Sequence, residues 1–154
     1  MAPHGTWQDG GNYDSTTGNR WDYGMTNVSA GGNTFAVIIG GNSTGGLMDT
    51  VHVAQVSGGA PGTWSETNTY PPGGQRHITS VGVDDLMISM GGTTAGNTLS
   101  ATSDVYLGRI DASGTITWQT ASEAMNQPRG LGGAAFHPYE FPPVLGASIW
   151  ELYE

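Results

Sequence analysis

The feature that most constrains this chain is an internal repeat. The pair Thr-Trp recurs at positions 6–7, 63–64 and 117–118, and an arginine follows each tryptophan 13, 12 and 11 residues on. A second set lies between these landmarks. "FAVIIGG" (35–41) returns as "LMISMGG" (86–92), and "DTVHVAQV" (49–56) returns as "SDVYLGRI" (103–110). The steps are 57 and 54 for Trp, 56 and 53 for Arg, 51 for the Gly-Gly pair and 54 for the valines of the last segments. Unequal steps of similar size are what loop-length variation does to one repeated supersecondary unit.

Each unit reads as strands. "VHVAQV" (51–56) and "ITSVGV" (78–83) alternate apolar with polar or small residues, the pattern of a half-buried strand. "FAVII" (35–39) is continuously apolar and β-branched, which predicts a strand buried on both faces. Gly and Asn clusters punctuate the chain, and "DASG" (111–114) predicts a hairpin turn between "VYLGRI" and "TITW". No window carries a helical pattern, because "ASEAMNQ" (121–127) is short and runs into Pro128. The fold class is therefore all-β. One unit has four antiparallel strands: a after the arginine, b ending in Gly-Gly, c as "VHVAQV" or "VYLGRI", and d carrying Thr-Trp.

A buried strand ending in Gly-Gly, Tyr106 on strand c, a Trp on strand d and an Arg before the next unit resemble kelch repeats; His52, at the position of Tyr106, departs from the pattern. The resemblance covers two full units from about residue 25 to residue 118, with partial units at either end. It implies a β-propeller with about three blades in a single domain, 1–154. Blade 1 covers about 25–70, blade 2 about 76–122, and blade 3 about 129–154 closed by strand 5–9. Propellers have four to eight blades, so two chains completing a six-bladed ring are expected, with a fragment of a longer protein as the alternative.

Composition narrows the function. With 13 carboxylates, four arginines and no lysine, the chain has a formal charge of −9. Nucleic acid and anionic membrane surfaces, which need a basic footprint, are disfavoured. No cysteine is present, which excludes thiolate catalysis and Cys-based zinc sites. The heavy use of Gly, Thr, Asn and Ser leans towards an extracellular or virion surface, and no stretch approaches the roughly 20 apolar residues of a membrane span.

Arg20, Arg76 and Arg129 share one place in the sequence repeat and offer planar donors to carboxylates or sugar hydroxyls. The resemblance implies the plainer role of tying neighbouring blades together. Trp7, Trp64 and Trp118 read first as packing between blades, which leaves Trp21 and Trp150 as candidate contact aromatics. Tyr13, Tyr23, Tyr70 and Tyr139 fall in predicted loops, where recognition concentrates. His77 lies beside a strand a. The ligand-binding candidates are Arg20, Trp21, Tyr23, Tyr70, Arg76, His77, Arg129 and Tyr139.

His4, His52, His77 and His137 lack metal-ligand spacing. Asp9, Asn12, Asp14 and Asp22 lack the spacing of a calcium loop. No metal or cofactor is expected. Kelch-like propellers include sugar oxidases and mutarotases, but the copper-radical oxidases need a cysteine, and no acid/base pair is marked here by spacing. The expectation is a non-catalytic surface module that binds a glycan or a protein, with a structural subunit of a virion, filament or surface layer as the alternative and a mutarotase-like enzyme behind both.

Overall fold

The computed structural model describes residues 19–95 and 100–130. The protein is all-β, with antiparallel sheets and no α-helix among the described residues. Sheet I contains β1 (Gly24–Ala30), β2 (Asn33–Ile39) and β5 (Thr50–Ser57), with β6 (Ala60–Pro61) and β7 (Ser65–Thr69) as successive pieces of one lane along the far edge of β5. Sheet II contains β8 (Thr79–Val83), β9 (Leu86–Met90), β10 (Val105–Ile110) and β11 (Ile116–Thr120), each paired with the next. A small ribbon of β3 (Asn42–Ser43) and β4 (Gly46–Leu47) follows the first Gly-Gly.

The two sheets repeat each other in register. A row across sheet I runs Thr26, Val37, Val53, Ser65. Offsets of 55, 51, 54 and 54 residues carry it onto Val81, Ile88, Leu107 and Gln119, which form the corresponding row across sheet II. Side chains alternate faces along a strand, so matched register means matched faces. The loop-length changes therefore fall between strands and leave the facing intact.

Packing follows from that alternation. Phe35, Val37 and Ile39 on one face of β2, and Ala36 and Ile38 on the other, are all at most 4 % exposed. The continuous apolar run is thus a strand buried on both faces. Val28, Phe35, Val37, Ile39, Val51 and Val53 of sheet I form one core with Met87, Ile110 and Ile116 of sheet II and with Tyr70 and Ile78 from the connection between them. Full burial of each aliphatic side chain contributes roughly 1.5–3 kcal/mol. Trp118 lies across Gly108, its cross-strand partner, and meets Tyr70 edge-on with ring centroids 5.2 Å apart. Its role is packing between the sheets. Trp64 lies between β6 and β7, half-buried and outside the ladder.

The repeated Gly-Gly has a physical cause at this junction. Gly40 and Gly41 have φ of 56° and 107°, and Gly91 and Gly92 have φ of 60° and 107°, a left-handed conformation that side chains disfavour. They also admit the chain that leads onward. Gly41 N donates to Gln75 O (2.6 Å) and Gly92 N donates to Arg129 O (2.8 Å). A Cβ on Gly40 would lie 2.5 Å from Gln75 O. Glycine is needed because the entry segment of the next unit runs directly over the end of strand b.

Candidate functional site

The entry segments hold half of the eight candidate residues, Trp21, Tyr23, Arg76 and His77, in a register different from the one expected. Trp21 forms an isolated antiparallel bridge with Asn42, and Arg76 forms one with Thr93. Asp22 and His77, the next residues, share a φ of 56°. Trp21 therefore corresponds to Arg76, Asp22 to His77 and Tyr23 to Ile78, at the 55-residue offset of the inner strands. Arg129 corresponds to Gln75, because both donate their amide to the residue after the Gly-Gly turn region (Thr102 O, 3.0 Å; Met48 O, 3.3 Å) and accept from the second glycine. The three arginines do not share one structural position. Arg20 and Arg129 match Gln75, and Arg76 stands one residue further on.

That shift creates a cluster. Asp22 Oδ2 lies 3.3 Å from Arg76 Nη1 and 3.1 Å from His77 Nε2. The backbone closes the same contact, since His77 N donates to Asp22 O at 2.7 Å. The Arg76 and His77 side chains are 14 % and 12 % exposed, while Asp22 is 33 % exposed. The partly exposed carboxylate thus ties together a guanidinium and an imidazole that are mostly buried. Trp21 and Tyr23 flank Asp22 in sequence and are 40 % and 41 % exposed. Beneath the cluster, Gln75 Oε1, His77 Nδ1 and Thr93 Oγ1 are buried without a protein hydrogen-bond partner. Gln75 Oε1 would lie 3.1 Å from a Cβ on Gly92, so this polar atom lines the same turn.

The other candidates lie elsewhere. Arg20 is buried and ties itself to sheet I, with Nη1 donating to Thr50 O (3.4 Å) and Nη2 donating to Thr50 Oγ1. Tyr70, expected in a recognition loop, is instead fully buried between Tyr106 and Trp118, at centroid distances of 5.4 and 5.2 Å. Burial pushes its hydroxyl pKa up. An apolar ring placed just before Pro71-Pro72 fills the core because the chain crosses from one sheet to the other there. The Arg129 side chain is exposed. Tyr139, Tyr13, Trp7, Trp150, His4, His137, Asp9, Asn12 and Asp14, with the closing strand 5–9 and nearly all of blade 3, lie outside the described residues.

Asp22 is the residue that sequence reasoning missed as a partner. Aligning the units on arginine hides it, whereas aligning on the inner strands sets "WDY" over "RHI" and pairs Asp22 with His77. Among the described residues, no group of three or more His, Cys, Asp or Glu side chains is placed to hold a metal ion. No protein-family model matches the sequence, and no curated protein matches it.

Proposed function

We propose that this chain is a non-catalytic, kelch-like β-propeller module that binds a glycan or a protein surface through the rim formed by Trp21, Asp22, Arg76 and His77. The observation that carries this reading is an Asp22 carboxylate that ties Arg76 to His77, next in sequence to the exposed Trp21 and Tyr23. An exposed indole offers an apolar platform to a sugar face or a side chain, and the partly exposed Asp22 carboxylate, held in place by Arg76 and His77, offers a directed acceptor to hydroxyls or amides. The entry segments are held by backbone bridges, Trp21 to Asn42 and Arg76 to Thr93, just past the two Gly-Gly turns, so the rim is preorganised and binding orders little.

The propeller reading rests on two sheets of four lanes each in matched register, stacked with β1 against β8. An extracellular or virion-surface setting suits such a module. Binding to a printed glycan array and a panel of cell-surface proteins tests the reading. Defined hits abolished by Trp21→Ala or Arg76→Ala, with the fold intact, are expected. No hits, or hits indifferent to both substitutions, would contradict it.

A further inference from the structure

We propose that the groove between β7 and the 111–115 turn of sheet II binds an organic cation, a primary ammonium or a guanidinium, through the Glu66 carboxylate and the hydroxyl oxygens around it. The groove has a volume of about 410 Å³, and all of its lining lies within the described residues, in the seam between the two sheets. Phe35 and Val53, each 4 % exposed, are its floor. The turn is fixed on sheet I. Asn33 Nδ2 donates to Ala112 O at 3.3 Å, Thr67 Oγ1 donates to Gly114 O at 3.3 Å, and Asn68 Nδ2 donates to Ile116 O. Gly114, at φ 88°, faces Phe35 and Val53. Both walls are therefore held in place before any ligand arrives.

The class of ligand follows from where the protons of this lining go. A hydroxyl has one proton to donate and two lone pairs that accept. Ser65 Oγ donates to Val53 O (3.4 Å), Thr67 Oγ1 to Gly114 O and Ser113 Oγ to Asp111 Oδ1 (2.6 Å). With that proton committed, Ser113 Oγ accepts from Thr115 Oγ1 at 3.0 Å. The amides of the turn are committed too, since Ser113 N and Thr115 N donate to Asp111 Oδ1 and Gly114 N donates to Asp111 O. Gln55 Nε2 donates to Asn33 Oδ1 at 3.0 Å, which leaves Oε1 as an acceptor. Glu66 adds a 56 % exposed carboxylate, with His52 Nε2 at 3.6 Å, beyond hydrogen-bond distance. No lysine or arginine lines the groove. It thus presents lone pairs and a negative charge and has few protons to give. An anion would meet Glu66 as a like charge, whereas an ammonium brings three donors and a guanidinium five, with no acceptor on either. The net charge of −9 draws cations from solution, and with no lysine in the chain an ammonium comes from another molecule.

The groove shares no residue with the rim of Trp21, Asp22, Arg76 and His77, so the two readings fail separately. Amide shifts in the NMR spectrum of the labelled full chain are followed as putrescine is added, with butanediol as the neutral control and circular dichroism as the check on folding. Saturable shifts confined to Ser65, Glu66, Thr67 and the turn 113–115, absent with butanediol and about tenfold weaker in affinity in Glu66→Gln, are expected. Blocked tripeptides with a central lysine or arginine, added in the same way, identify the source of the cation. Tighter saturation than with putrescine supports the site as a receptor for a side chain of a partner protein, and weaker saturation supports it as a receptor for a free polyamine. No saturable shift at these amides with any of the three cations, or shifts that Glu66→Gln leaves unchanged, overturns the proposal.

Discussion

Asp22 and His77 occupy the same position in successive repeats, share a φ of 56°, and touch each other, with His77 Nε2 3.1 Å from Asp22 Oδ2. A repeated backbone position has thus been given complementary side chains in neighbouring units, and the junction of the two sheets becomes a charged cluster at the surface.

Replacing Asp22 tests that junction. Asparagine tolerates left-handed φ, so Asp22→Asn removes the charge and leaves the turn. The Arg76 and His77 side chains, mostly buried, lose their carboxylate, and the expected destabilisation in urea unfolding is about 1–2 kcal/mol. Asp22→Val adds the strain of a β-branched residue at φ 56° and is expected to cost more.

The Gly-Gly turns separate strain from close approach. Gly40→Ala meets Gln75 O at 2.5 Å and Ile78 Cδ1 at 2.7 Å on top of its left-handed φ, and a loss above about 3 kcal/mol is expected. Gly58→Ala has φ 62° and nothing within 4 Å, so only the conformational term of about 1 kcal/mol remains. Thermal or urea unfolding of the pair distinguishes the two contributions.

Tyr70 links packing to alkaline pH. Tyr70→Ala empties a fully buried site between Tyr106 and Trp118 and is expected to cost about 3–5 kcal/mol. Burial raises the folded-state pKa of the hydroxyl above its unfolded value. Its contribution is therefore fully present below about pH 10 and lost as pH rises beyond it. Tyr70→Phe keeps the ring and is expected to flatten the alkaline decline in stability measured by urea unfolding above that pH.

The tryptophans divide by exposure. Trp118→Ala is expected to destabilise by about 3–5 kcal/mol, because the ring lies across Gly108 and against Tyr70. Trp21→Ala, at a 40 % exposed site, is expected to change stability by within about 0.5 kcal/mol while abolishing ligand binding. Paired melting and binding measurements check both.

The all-β class, the doubly buried strand 35–39 and the 111–114 hairpin were legible because period, β-branching and turn residues are local signals. The arginine register was not. Arg76 follows Trp64 at nearly the spacing with which Arg20 follows Trp7, yet the ladder aligns Arg20 with Gln75, since register is fixed by strand pairing and not by loop landmarks. Tyr70 misled for a similar reason. Its Pro-Pro-Gly-Gly neighbours mark a surface turn, and nothing local tells that the ring before them points inward. Asp22 became visible only with the partners that a tertiary contact supplied.

Each unit enters over the Gly-Gly end of the unit before it, and scalar couplings across hydrogen bonds in an NMR spectrum of the labelled full chain test this at named atoms. Couplings from Gly41 N to the Gln75 carbonyl, Gly92 N to the Arg129 carbonyl and His77 N to the Asp22 carbonyl are expected, with slow exchange at all three amides. Fast exchange at those amides and no such couplings, in a folded sample, would contradict the account.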